Sequence, residues 1–289
     1  FLMGQILASN VGGTATLIGD PPNIMIGSAA HLSFMDFLEN TGFAVLFILV
    51  VLILLMKIVY EKKIELGTVD TGAIEKLDPS KSITNRALMK KGIIVLICVI
   101  VGFMFHDKLG IESSVIALTA AAVMLIIGRE DVNEAIQDVE WTTILFFMSL
   151  FVVVGGLTET GIIKELASKI IDATNGHPMV TMLVLLWASA LLSSILDNIP
   201  FVATLIPLIL AMQADGIDVT SFWWAISLGA CLGGNGTMIG ASANVVLSDI
   251  STKHGYPITF KSYLKVGMPF MLLSIVISTV FLVVKFDIM

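Results

Sequence analysis

Two stretches decide the fold: Gly12-Gly13-Thr14-Ala15-Thr16-Leu17-Ile18-Gly19-Asp20-Pro21-Pro22-Asn23 and Gly233-Gly234-Asn235-Gly236-Thr237-Met238-Ile239-Gly240-Ala241-Ser242-Ala243-Asn244. At a constant offset of 221 they share 6 residues in 12: three glycines, Thr16 with Thr237, Ile18 with Ile239, and Asn23 with Asn244. Glycine alone matches often by chance in apolar segments. Thr, Ile and a closing Asn in register do not. Each copy interrupts an apolar run and is followed by a polar stretch and a full apolar span. Bare backbone cannot face lipid, so a helix broken at membrane depth must be enclosed by protein or line a cavity.

Composition identifies the solvent. Of 289 residues 56% are apolar and 13% charged, with a mean hydropathy of +0.96. Soluble domains run at about 45–50% apolar and about 25% charged. A water-facing surface needs far more charge than this, so the chain reads as an all-α, multi-pass integral membrane protein whose first partner is the lipid bilayer. A net charge of −7 excludes a basic nucleic-acid binder, and Cys98 and Cys231, both inside apolar runs, make no disulfide scaffold. No cofactor, resident metal or nucleic-acid partner is expected. Phe1 is followed by no basic n-region or cleavage site, so no signal peptide is expected to open the chain.

A spanning helix takes about 20 apolar residues. Residues 42–60, 92–106 with their flanks, 111–128, 141–157 and 266–285 qualify; residues 1–30, 179–212 and 222–250 are apolar but interrupted. The segment from Lys57 to Lys91 holds 8 of the 16 Lys and Arg residues, which makes it a cytoplasmic linker by the positive-inside rule. Counting outward, Phe1 lies inside, residues 158–177 outside and Met289 outside. Residues 161–173 alternate apolar and charged faces, as a helix lying in the outer interface does. Residues 178–212 are too short for two crossings and a loop. They read as a re-entrant hairpin of two half-depth helices, 187–196 and 201–210, meeting at Asp197-Asn198.

On this topology the two repeat copies run in opposite directions. Inverted repeats with broken helices are the architecture of secondary transporters, with ions and substrate bound where the breaks meet. Residues 1–60 then close the first repeat, 61–91 link, and 92–289 form the second, with three spans, the interfacial helix, the hairpin, the unwound helix and a last span. The tip at Asn198 precedes Gly233 by 35 residues, so a first-repeat tip falls at −23 and the first repeat opens near −129. The first repeat is therefore expected to be truncated by about 130 residues. A chain with one hairpin of two is expected to insert without transporting.

Asn10 to Asn23, Leu196-Asp197-Asn198-Ile199-Pro200-Phe201 and Gly229 to Asn244 resemble the ion transporter superfamily. The similar branch holds the P protein, arsenical-pump permeases and NhaD-type sodium/proton antiporters. The resemblance covers the whole chain. It implies a homodimeric carrier with a scaffold and a moving transport domain, ions and substrate sitting between hairpin tips and unwound segments. Carried over by position, it implies that Asp197-Asn198 is the outer tip and Gly233–Thr237 its partner, while Gly12–Asn23 has lost its own. The tip departs from the Ser-Asn-Thr of dicarboxylate and citrate carriers, and a carboxylate there repels a citrate-like substrate.

The candidate ion- and substrate-binding residues are Asp197, Asn198, Gly233, Gly234, Asn235, Thr237 and Asn244 of the second repeat, with Gly12, Gly13, Thr14, Thr16, Asp20 and Asn23 of the first. Transient Na⁺ coordination is expected at Asp197, Asn198 and Asn235. The neutral oxygens and amides suit Na⁺ or a hydroxide-like solute; for each, the alternative is a helix-to-helix hydrogen bond. Asp197 ahead of Asn198 and Pro200, and Asp20 ahead of Pro21, also read as ordinary helix caps. A neutral cap is cheaper at membrane depth, so Asp197 is assigned the coupling charge, and Asp197→Asn is expected to keep folding but lose pH or Na⁺ dependence.

The function expected is secondary active transport, with no enzyme activity, of a small inorganic ion or solute by alternating access, coupled to Na⁺ or H⁺, in the cell membrane. The alternatives are arsenite or antimonite efflux and a dicarboxylate- or citrate-type anion symporter. An intramembrane aspartyl protease would pair Asp20 with Asp197, but Leu17-Ile18-Gly19-Asp20 lacks the Gly-x-Gly-Asp of those enzymes.

Overall fold

The computed structural model describes residues 2–61, 83, 85–129, 131–139 and 141–287. Most of the expected 61–91 linker, Phe1 and Met289 lie outside the described residues. Those described form fourteen α-helices and one 3-10 turn, with no strand. Packing divides the chain into two compact units, residues 1–57 with 145–289, and residues 58–144.

In chain order the helices are α1 (Leu2–Gly13), α2 (Pro21–Ala30), α3 (Phe34–Asn40), α4 (Gly42–Tyr60), α5 (Arg86–Leu109), α6 (Ser113–Gly128), α7 (Val132–Gln137), α8 (Trp141–Glu159), α9 (Ile162–Ala173), α10 (Pro178–Ser193), α11 (Asn198–Ala214), α12 (Thr220–Gly233), the 3-10 turn Gly234–Gly236, α13 (Ser242–Lys253) and α14 (Phe260–Asp287). Three are long and apolar enough to cross a membrane: Gly42–Tyr60, Arg86–Leu109 and α14 over Phe260–Phe286. A fourth candidate is the pair Ile144–Glu159 and Ile162–Ala173, bent by 69° at Gly161. That bend turns the amphipathic helix α9 away from the axis of α8, the geometry an interfacial helix needs. At 16 residues, α6 is about 24 Å long, short of the roughly 30 Å hydrocarbon core.

In the smaller unit α5 and α6 run antiparallel. Gly110, at φ 63°, turns the chain between them, Gly102 lets Ile116 approach, and Lys91 Nζ donates to the Ile127 carbonyl at 2.7 Å.

The larger unit is built round α12, whose residues 222–233 are all buried. A helix apolar on every side belongs at the centre of a bundle. Gly229 and Gly233 stand one turn apart on its face towards α10. A Cβ at Gly229 would lie 2.5 Å from the Leu186 carbonyl oxygen, and one at Gly233 2.6 Å from that of Ala190. Small residues at this spacing let two backbones touch where no water-driven term favours one apolar neighbour over another. Trp224 meets Phe37 edge-on at 5.2 Å, tying α12 to α3.

The hairpin arms are longer than the expected 187–196 and 201–210. Pro178 in the first turn of α10 needs no amide partner there, so the arm starts early, and the second runs on to the Asp215-Gly216 turn. Between them the chain turns over residues 194–197, at the expected tip.

Candidate functional site

Each break is made by two glycines whose backbones touch. A Cβ at Gly13 would lie 2.7 Å from the Gly19 carbonyl oxygen; one at Gly234 would lie 3.0 Å from that of Gly240. These are the same positions at offset 221. The loop between them exposes carbonyls that the interrupted helix leaves without amide donors. One asparagine per repeat satisfies them. Asn23 Nδ2 donates to the Gly13, Thr14 and Thr16 carbonyls at 3.4, 3.3 and 3.0 Å, and Asn244 Nδ2 to those of Gly234 and Thr237 at 2.7 and 2.9 Å.

The breaks also face one another. Asn10 Nδ2 in α1 donates to Asn244 Oδ1 at 2.8 Å and to Asn235 Oδ1 at 2.9 Å. The residue 221 positions after Asn10 is Cys231, whose thiol lies 3.5 Å from Asn23 Oδ1 and beside Thr14. Residue 10 meets 244 and 235; residue 231 meets 23 and 14. Such reciprocity is what a two-fold relation between like surfaces generates, here within one chain. Asn235 Nδ2 reaches the Leu7 carbonyl at 3.4 Å, Thr14 Oγ1 donates to the Asn10 carbonyl at 2.8 Å, and Ser227 Oγ donates to Asn23 Oδ1 at 2.7 Å.

The symmetry fails at one charge. Asp20 in the first break corresponds to Ala241 in the second. Asp20 occupies the N-cap position of α2 but caps nothing. Pro21 and Pro22 supply no amide hydrogen to the first turn, and the next amide, of Asn23, goes to the Asp20 backbone carbonyl at 3.0 Å. The free carboxylate accepts instead from Asn198 Nδ2 at the hairpin tip, at 3.3 and 3.5 Å, and the Cys231 side chain lies beside it. Asp197, next to the tip amide, adds a second negative charge nearby. Its own carboxylate accepts the Ile199 amide at 3.0 Å, an N-cap bond, and its side chain is exposed. The ion pairs among the described residues, Lys169–Glu165 and Lys253–Asp249, lie elsewhere.

The second break packs on the hairpin just before its tip: Thr237 Oγ1 donates to the Ser194 carbonyl, and Gly236 leaves room for the Ser194 side chain. The structure thus brings Asn198 to Asp20 and sets Asn235, Asn244 and Thr237 in a separate neutral group. Gly12 is exposed, with open space where a Cβ would stand. Sequence reasoning passed over Asn10, Cys231, Ser227 and Ser194 as site residues. The repeat offset held the signal for one pair, since Asn10 and Cys231 are equivalent positions that differ in residue type.

Two broken helices related by an internal two-fold, a hairpin whose tip reaches one of them, and flanking apolar spans define a membrane transporter of the inverted-repeat class. The chain belongs to the citrate transporter (CitMHS) family, whose model matches residues 1–229. A 46 kDa membrane protein of Mycobacterium leprae (strain TN) is 37% identical over 292 residues, which cover 100% of this chain and 68% of its own. An uncharacterized transporter of Mycobacterium tuberculosis (strain ATCC 25618 / H37Rv) is 37% identical over 294 residues, 99% of this chain and 67% of its own. The P protein of Mus musculus is 30% identical over 363 residues, 98% of this chain and 44% of its own.

Proposed function

We propose that the protein is a secondary active carrier that moves a small inorganic ion or solute across the cell membrane by alternating access, coupled to a cation whose charge is met by Asp20. The observation that carries this reading is the Asp20 carboxylate, freed from capping by two prolines and held to the hairpin tip by Asn198. The sequence alone favours Asp197 for this role. Its exposure and its bond to the Ile199 amide suit a cap.

A carboxylate moving through a low-dielectric passage is costly, and binding a cation removes most of that cost. The loaded carrier then changes sides more readily than the empty one, which is the condition for coupling. The surroundings of Asp20 offer Na⁺ few ligands, which leaves H⁺ as the coupling cation. A hard cation needs several oxygen ligands, whereas the groups beside the carboxylate are the Asn198 amide nitrogen, a donor, and the Cys231 sulfur, which is no oxygen ligand. The oxygens nearby are engaged as well: Asn23 Oδ1 accepts from Ser227, and the Gly13, Thr14 and Thr16 carbonyls accept from Asn23.

A second reading, an organic-anion symporter, is favoured by the family's description as citrate transporters. The Asp20 and Asp197 carboxylates at the tip oppose it, because they repel a multiply charged anion. Arsenite or antimonite efflux involves no such repulsion, those solutes being neutral as hydroxides. The carrier works as a homodimer, as the sequence resemblance implies.

The deciding experiment is flux in proteoliposomes holding these residues within a carrier of its relatives' full length, across imposed pH and Na⁺ gradients. We expect saturable transport driven by a pH gradient, and Asp20→Asn to abolish the pH dependence while preserving folding. An unchanged pH profile in Asp20→Asn overturns the coupling role. Strong citrate uptake by the parent protein moves the assignment to the anion reading.

A further inference from the structure

Away from the breaks, α4 and α14 border a groove of about 550 Å³. Phe43 and Phe47 line one wall; Val280, Phe281 and Val284 line the other. Phe43, Phe47, Val280 and Val284 are 72%, 58%, 59% and 53% exposed, which on helices of spanning length means exposure to acyl chains. The groove ends in opposite charges. Lys285 Nζ donates to the Glu39 backbone carbonyl at 3.2 Å and lies 5.8 Å from the Phe281 ring centroid. The Glu39 carboxylate acts on Lys285 electrostatically without forming an ion pair within 4.0 Å. Both charges stand at helix ends, Glu39 just before α4 and Lys285 in the last turn of α14. A snorkelling lysine belongs at that interfacial depth.

The lining and the mouth select the occupant. From Val276 to Lys285 a helix rises about 14 Å, so the groove runs along about one leaflet's share of the roughly 30 Å hydrocarbon core. Its walls are apolar side chains, and the acyl chains of that leaflet lie against them. The mouth selects the headgroup. A cation alone attracts any phosphate, but Glu39 beside it repels a net-negative lipid. A quaternary ammonium, with no N–H, cannot hydrogen-bond to the Glu39 carboxylate, whereas a primary ammonium can.

We propose that this groove is a binding site for phosphatidylethanolamine, its hydrocarbon lying between α4 and α14, its phosphate on Lys285 and its ammonium on Glu39.

The test is native mass spectrometry and thermal unfolding of the 289-residue chain in detergent with added phosphatidylethanolamine, phosphatidylglycerol or phosphatidylcholine. Phosphatidylethanolamine should be retained several-fold over the other two and should raise the Tm. Glu39→Gln should bring phosphatidylglycerol up to the same retention, and Lys285→Gln should lose both. Val280→Trp, which fills the groove and leaves both charges, should abolish retention; its Tm without lipid, unchanged from the parent, reports an intact fold. Equal retention of the three lipids, or retention undiminished in Val280→Trp, overturns the proposal. So does a disulfide-linked dimer formed through a cysteine at Val280 in a background lacking Cys98 and Cys231, because a second copy then covers the groove.

Discussion

Asn23 and Asn244, 221 residues apart, close their two breaks with the same bonds: each donates its side-chain amide to a glycine carbonyl ten residues back and a threonine carbonyl seven residues back. An unpaired buried carbonyl costs about 1–3 kcal/mol. One amide serving two or three of them makes a break affordable at membrane depth. The breaks are therefore specified structures with their own closing residue.

The glycine pairs should be the least replaceable positions of either break. Gly13→Ala, Gly19→Ala and Gly240→Ala each drive a methyl into a backbone carbonyl that cannot step aside, and Gly234→Ala meets one at 3.0 Å. Overpacking of this kind costs about 1–3 kcal/mol. Thermal unfolding in detergent should show clear losses for all four, whereas Gly12→Ala, with open space around it, should unfold at the parent temperature.

Asn10 should couple energetically to the second break. Asn10→Ala strands the Oδ1 atoms of both Asn235 and Asn244, and should cost more than a single lost hydrogen bond, about 2 kcal/mol or more. In a double-mutant cycle with Asn244→Ala we expect an interaction energy above about 0.5 kcal/mol. Strict additivity would mean that the two breaks do not lean on each other.

Asp20 and Asp197 should separate cleanly by substitution. Asparagine caps a helix as well as aspartate does, so Asp197→Asn should leave stability, rate and pH profile unchanged, and Asp197→Ala should cost about 0.5–2 kcal/mol. Asn198→Ala removes the tip donor from Asp20 and should weaken cation coupling without altering the α11 cap. Loss of pH dependence in Asp197→Asn but not in Asp20→Asn would reverse the assignment.

The sidedness expected from the basic segment can be read by labelling. In a background without the exposed Cys98, a membrane-impermeant thiol reagent added outside should modify a cysteine placed at Glu159 and spare one at Lys90, both exposed positions. The opposite pattern would invert the topology of both repeats.

Much of this protein was legible without coordinates, because membrane solvent imposes a simple rule. Backbone must be helical or enclosed, so runs of apolar residues and the glycines that interrupt them announce the spans, the breaks and the hairpin tip. The repeat is equally local: Gly13, Gly19 and Asn23 recur as Gly234, Gly240 and Asn244 because the same loop needs the same closures. Tertiary structure alone decided which carboxylate meets the hairpin and which caps a helix. Asp20 and Asp197 precede similar proline-containing starts, and a sequence window treats them alike. The difference lies in donors: Pro21 and Pro22 offer Asp20 none, Ile199 offers Asp197 one, and Asn198 arrives at Asp20 from 178 residues away. The partnership of Asn10 with Asn235 and Asn244 is also long-range. It exists only where the internal two-fold folds one break onto the other, a relation between surfaces that no single stretch of sequence contains.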